Sequence, residues 1–222
     1  MAQYHPSEDL LAAYVSGAAD EPTEALIAAH LTFCPECQEA ASRHEEIAGA
    51  LFERFDGAVA ETRSGANAIT QCAIDSVSAD HKGAPPGSLS EIAPRPLADY
   101  IFARAGAADL DAMKWTFYGP GIKRAILVGS RDGALVRLVK ARPGAKFPDH
   151  HHGSDELTLV LTGAYRDHTG RYGVGDVQCA EASLSHQPVI EDEGVCYAFV
   201  VSEKPAIPKG LTAKIVQRVI RG

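Results

Sequence analysis

The chain has 222 residues, 45% of them apolar and 23% charged, which suits one large or two small domains and leaves no run near the ~20 apolar residues of a membrane span. Its five cysteines, an odd number, and its opening Met1-Ala2-Gln3-Tyr4-His5-Pro6, without the basic and apolar regions of a signal peptide, argue against a secreted disulfide scaffold and predict a cytoplasmic protein. The net charge of −8 divides unevenly, with 5 basic against 15 acidic residues in 1–95 and 16 against 14 in 96–222, so the acidic first part is a poor partner for DNA and a reasonable one for a basic protein.

Ser7 can cap a first helix in which Leu10, Leu11, Tyr14, Val15 and Ala18 form an apolar stripe. Asp20-Glu21-Pro22 then breaks the chain, and Pro22 suits the first turn of a second helix carrying Leu26, Ile27, His30 and Leu31. Directly after it comes Cys34-Pro35-Glu36-Cys37. With His5 upstream, the spacing is H-x24-H-x3-C-x2-C, two imidazoles and two thiolates, the ligand types of a closed tetrahedral zinc site. A lone CxxC could equally be a redox dithiol or two buried cysteines; His30, with three residues between it and Cys34, favours the metal. Pro35 opens a third helix on which Ala40, His44, Ile47, Leu51 and Phe55 recur at helical spacing, with His44 read as a packed or edge residue. Three short helices make a small core, which a structural zinc would staple.

Residues 56–95 are richer in Gly, Ala, Ser and Pro. Ile69, Cys72, Ala73, Ile74 and Val77 form a short amphipathic stripe, marginal as an isolated helix and therefore expected to lean on the helical module or on a partner. Gly83-Ala84-Pro85-Pro86-Gly87-Ser88 reads as a linker. The expected organisation is thus a helical domain over 1–82, a linker over 83–95 and a second domain over 96–222.

In that second domain the period changes. Short runs at Ala125–Val128, Ala134–Ala141, Leu157–Leu161, Val195–Val201 and Ala213–Val219, separated by Gly and Pro, predict an antiparallel sandwich or barrel. Within it, Gly144, His150, His152, Glu156 and Gly163 follow the pattern G-x5-H-x-H-x3-E-x6-G, and Gly175-Asp176 precedes His186. On a strand His150 and His152 share one side, and Glu156 and His186 can complete a three-imidazole, one-carboxylate set. This is the signature of the cupin jelly roll. Such ligands accept Zn, Mn, Fe or Ni. His168 and His81 read as surface and linker residues, Cys72, Cys179 and Cys196 as buried small residues, and Tyr165 and Asp176 as weak acid–base candidates.

The two halves together resemble the ChrR-type zinc-binding anti-sigma factors over essentially the whole chain, including Glu156-Leu157-Thr158-Leu159-Val160-Leu161 and Gly170-Arg171-Tyr172-Gly173-Val174-Gly175-Asp176. The resemblance implies an α+β protein of two domains, a zinc-stapled helical bundle followed by a β jelly roll. It implies one zinc on His5, His30, Cys34 and Cys37, and a second on His150, His152, Glu156 and His186. It further implies an extracytoplasmic-function (group IV) sigma factor as partner, held by the helical module and released on singlet-oxygen-type stress through the cupin, and no enzymatic activity; the apolar stripe offers Ile69, Ile74 and Val77 as contact candidates, and the acidic balance argues against direct DNA binding. Members of the family carry a C-x-C pair beyond the last cupin histidine, where this chain has Cys196-Tyr197-Ala198. The alternative is a metal-dependent cupin enzyme of dioxygenase or isomerase type with a structural zinc module upstream.

Overall fold

A computed structural model describes residues 2–55, 87–129 and 134–209 of the chain. Three helices come first: α1 (Glu8–Val15), α2 (Glu21–Phe33) and α3 (Pro35–Phe55). Their ends follow the local chemistry. The Ser7 hydroxyl accepts from the Leu10 amide, the Asp20 carboxylate accepts from the Thr23 amide, and Pro22 occupies the first turn of α2, where no amide partner is needed. α4 (Leu89–Ile92) and α5 (Arg95–Ala105) follow, and α5 stops at Gly106 in the left-handed conformation.

The remainder is antiparallel β structure. A six-stranded sheet runs in the order β1 (Thr116–Gly119), β2 (Ile122–Val128), β3 (Leu135–Ala141), β11 (Cys196–Ser202), β5 (Glu156–Thr162), β8 (Val177–Ala180). Two short three-stranded sheets complete it. One joins β10 (Val189–Ile190), β6 (Tyr165–Arg166) and β7 (Arg171–Tyr172). The other joins β12 (Ile207–Pro208), β4 (His150–His151) and β9 (Ser185–His186). No helix among the described residues is long and apolar enough to cross a membrane.

The central strands are covered on both faces, which is why β3 and β11 are buried almost end to end and mostly apolar, with Arg137 and Lys140 of β3 and Ser202 of β11 as the polar exceptions. Side chains still alternate in direction. Val136, Leu138, Leu159, Phe199 and Val201 pack on the helices, whereas Val139, Val160, Ala198 and Val200 fill the interior of the β domain. The helix-facing side joins α2 and α5 in one core: Leu26, Ile27, Leu97, Ile101 and Phe199 are all fully buried in the same cluster. The Tyr100 ring meets Phe199 edge-on at 5.8 Å. α2 is therefore a layer of the β domain's own core as well as part of the helical module.

Three sequence expectations change here. The described part of the expected linker 83–95 holds α4, with Leu89 and Ala93 buried, because these residues cap the same core. The expected stripe of α3 is buried at Ala40 but exposed at Ile47 and Leu51, with Phe52 exposed beside them, since α3 runs on past α1 and α2. Cys179, expected buried, is exposed on β8. The expected helix around Ile69, Ile74 and Val77, with Cys72 and His81, and the expected strand Ala213–Val219 lie outside the described residues.

Candidate metal centres

The first cluster forms where α2 ends. His30 projects from the last turn of α2, Cys34 is the residue at which α2 gives way to α3, and Cys37 lies in the first turn of α3. This tight helix–helix corner follows from Pro35, which starts a helix but cannot continue one. The Cys37 amide donates to Cys34 Sγ at 3.4 Å, so the corner folds both sulfurs inward. His5 closes over them from the extended N-terminal segment, its Nδ1 lying 3.3 Å from Cys34 Sγ and 3.3 Å from Cys37 Sγ. One donor atom from each of His5, His30, Cys34 and Cys37 lies within 4.8 Å of every other.

A zinc ion fits these residues. Tetrahedral Zn–N and Zn–S bonds of ~2.0 and ~2.3 Å place neighbouring donors ~3.5 Å apart, close to the His5–sulfur distances. His30 is fully buried and its Nε2 has no hydrogen-bond partner, while its Nδ1 donates to the Gly175 carbonyl at 2.7 Å. That is a neutral ring with its lone pair aimed at the cluster, and burial indeed lowers the His30 pKa. Burial and the neighbouring Cys34 push the Cys37 thiol up to about 12. A redox dithiol requires the opposite shift. Buried thiols become good ligands when a cation supplies the compensating charge, so the site is built for metal retention and not for exchange chemistry.

The second cluster lies inside the β domain. β4 and β9 pair so that His150 stands opposite His186, and His152 follows two residues after His150 on the same side. Nε2 of His186 is 3.0 Å from Nε2 of His152 and 3.1 Å from Nε2 of His150. The other ring nitrogens fix the tautomers. His150 Nδ1 donates to the Pro148 carbonyl at 2.8 Å and His186 Nδ1 to Asp167 Oδ2 at 2.6 Å. Bare lone pairs of His150 and His186 thus face one another, an arrangement that a cation between them relieves. Burial lowers the His150 pKa to about 4, keeping the ring neutral and free to ligate near pH 7.

Glu156 lies beside the imidazoles, against His152, and is also paired with Arg137. The residues whose donor atoms cluster are His150, His152 and His186 alone, whereas Glu156 Oε2 accepts a 2.6 Å bond from Arg137 and lies 3.6 Å from His152 Nδ1. Burial by itself would raise this carboxyl, yet Arg137 and His152 bring it down to about 2. The physical reason is charge pairing: Arg137, on the interior side of β3 and only 3% exposed, holds the carboxylate in place. Sequence spacing revealed Glu156 but not Arg137, since an arginine in a mostly apolar strand carries no motif. Asp167 was missed for a similar reason, being defined only by its partners. Burial tends to raise its carboxyl, but hydrogen bonds from His186, Thr169 and Gln178 hold it well below the ordinary range. Asp176, a weak acid–base candidate by sequence, points away from the imidazoles and binds backbone amides near the N-terminus. Tyr165 donates to Gln178 at 2.8 Å, and burial raises its hydroxyl pKa well above normal, so it is no acid–base group near neutrality. His168 is exposed, as expected, and His44 is an edge residue 3.0 Å from Glu8.

A cavity of about 70 Å³ adjoins the imidazoles, lined by Phe147, Tyr165, Ile190, Cys196 and Val200 among others. Sites for drug-sized organic ligands run to ~300–1,000 Å³, and even a benzene-binding cavity is ~150 Å³. This one accommodates only a few heavy atoms beside the metal position.

Comparison with known proteins bears on both clusters. A family model for the ChrR cupin-like domain matches residues 104–205, and a zinc-finger family model matches residues 7–38. The anti-sigma-E factor ChrR of Cereibacter sphaeroides is 34% identical over 219 residues, covering 99% of this chain and 98% of that protein. Among solved structures, that of Rhodobacter sphaeroides SigE in complex with the anti-sigma ChrR matches with a TM-score of 0.67 at 32% identity, covering 91% of this chain and 99% of that one.

Proposed function

This chain belongs to the ChrR family of anti-sigma factors, and from that premise we propose that its helical module binds and inhibits an extracytoplasmic-function sigma factor in the cytoplasm and that its cupin domain triggers release under oxidative stress of the singlet-oxygen type. The observation that carries the reading is full-length similarity to an anti-sigma factor joined to two separate buried ligand clusters, one in each half. The first would hold a structural zinc on His5, His30, Cys34 and Cys37. The second would hold a further ion, zinc or another divalent metal, on His150, His152, Glu156 and His186, with Asp167 orienting His186. Such an ion would supply Lewis acidity at that position. The division of the chain into 1–82, 83–95 and 96–222 remains the proposed functional division.

Two features support the partner and its mode of docking. The module is acidic, with a net charge of −10 over residues 1–95. α3 exposes Ile47, Leu51 and Phe52 on its far half, the type of apolar surface a partner covers. Ile69, Ile74 and Val77 are further contact residues proposed from the sequence stripe. Association should slow as salt screens the acidic field, and Ile74→Asp should weaken the complex without changing zinc content. An enzyme acting on organic substrates gains no support from a cavity of about 70 Å³.

The test uses the His152→Ala protein with its partner sigma factor in a reconstituted transcription assay. Metal analysis should give one ion fewer than wild type, inhibition should be unchanged, and light with a singlet-oxygen sensitiser should relieve inhibition by wild type but not by the variant. Normal release after demonstrated metal loss would reject the sensor role of the cupin, and absence of inhibition by the wild type would reject the anti-sigma reading.

A further inference from the structure

The two cysteines and the two histidines of the N-terminal centre are held by different parts of the protein. Cys34 and Cys37 are fixed within the module by the α2–α3 corner and by the Cys37 amide. Both histidines are fixed by one turn of the cupin, between β7 and β8. The Gly175 carbonyl accepts from His30 Nδ1 at 2.7 Å. Asp176 Oδ1 accepts the backbone amides of Gln3 and Tyr4, and the Val177 amide donates to the Tyr4 carbonyl, immediately before His5. The other carboxylate oxygen, Oδ2, accepts from the Gly173 amide at 2.7 Å and so shapes the turn itself. Tyr4 is further clamped by its ring, whose centroid lies 4.4 Å from that of Tyr172 on β7.

The fit is close. Gly175 has φ +86, and a Cβ there would lie 2.7 Å from Cβ of Phe33 at the end of α2. Only glycine lets the turn reach His30. The same strands carry the outer partners of the cupin centre: Gln178, one residue beyond Val177, donates to Asp167 Oδ2, which receives His186 Nδ1.

We infer that the cupin turn Gly173–Val177 is a working part of the N-terminal metal centre, with Asp176 and the Gly175 carbonyl as positioning groups for His5 and His30. Ligand-orienting partners typically contribute 10–100-fold to metal affinity. Zinc retention in the helical module therefore depends on how the cupin holds this turn, which gives a change in the cupin a direct mechanical route to two zinc ligands. The inference rests on the four-residue zinc centre and not on the identity of any partner.

The experiment measures metal affinity in the full-length protein by chelator competition, using zinc and, as a spectroscopic probe, Co²⁺. Asp176→Ala removes all three amide contacts, and Asp176→Asn keeps an acceptor while losing the charge. Zinc affinity at the N-terminal centre should fall ~10–100-fold in Asp176→Ala and by a smaller factor in Asp176→Asn, with altered thiolate–Co²⁺ bands and unchanged cupin metal content. Gly175→Ala, which acts from the other side by pushing Phe33 and the end of α2 away, should give the same selective loss even if Asp176→Ala folds poorly. Wild-type affinity and Co²⁺ spectra in both Asp176→Asn and Gly175→Ala would overturn the inference. Zinc content unaffected by Cys34→Ser would instead overturn the metal centre on which it rests.

Discussion

Replacing Cys34 or Cys37 with Ser is expected to remove one zinc equivalent and to unfold much of the helical module. Both thiolates lie in the ligand cluster, and each sulfur is 3.3 Å from His5 Nδ1. Structural zinc contributes apparent binding free energies of ~10–16 kcal/mol in small modules, which equals or exceeds the ~5–15 kcal/mol stability of a whole domain. Among the described residues α3 packs chiefly on α1 and α2 and exposes Ile47, Leu51 and Phe52, so the ion is its main tie to the module. α2 should persist in part, because Leu26 and Ile27 are buried in a cluster shared with the β domain. The expected result is a loss of far-ultraviolet helicity corresponding mainly to α1 and α3, with the β structure retained. Full helicity in a zinc-free variant would contradict a structural role for the ion.

Arg137→Leu should carry the second large cost. The guanidinium lies 2.6 Å from Glu156 and 3.1 Å from Ser202 Oγ, at a point where both ionic partners are buried. Removing one member of such a pair strands the other charge, at ~3–5 kcal/mol, whereas replacing both with apolar residues is often nearly neutral. The double variant Arg137→Leu with Glu156→Leu should therefore be more stable than Arg137→Leu alone. The pH dependence follows from the depressed Glu156 pKa. In the wild type, with a folded value of about 2 against 4.5 unperturbed, the pair's contribution is complete above pH ~4.5 and is lost as pH falls towards 2. In Arg137→Leu, burial raises the stranded carboxyl, which then takes up a proton on folding. The stability deficit should accordingly shrink between pH 7 and pH 5 in urea melts. A deficit that is constant or grows over that interval would show that the stranded charge is not its cause.

These two predictions draw on different levels of information. The N-terminal cluster was legible in the sequence because His5, His30, Cys34 and Cys37 combine the donor chemistry zinc prefers with a spacing that local helix geometry enforces. Pro35 starts α3 between the sulfurs, and three residues separate His30 from Cys34, about one helical turn. The same holds for His150, His152 and His186, two of which share a strand side by the two-residue period. The three N-terminal helices and the four long strands β2, β3, β5 and β11 were likewise readable as local patterns, whereas the short strands and β1 and β8 carry too little periodicity to stand out.

Only the tertiary structure decided what surrounds those ligands. Arg137 and Glu156 are 19 residues apart, and Asp167 and His186 are also separated by 19; His30 meets the Gly175 carbonyl across 145 positions. Such partnerships depend on strand order and on how α2 lies against the sheet, and a backbone carbonyl carries no residue identity that a motif could record. Leu89 and Ala93 left the expected linker for the core on the same ground, because burial depends on what the rest of the chain places overhead. Ligands are chosen by side-chain chemistry and local spacing, which a sequence states outright. The hydrogen bonds and charges that orient them are set by contacts between distant segments, which exist only once the chain has folded.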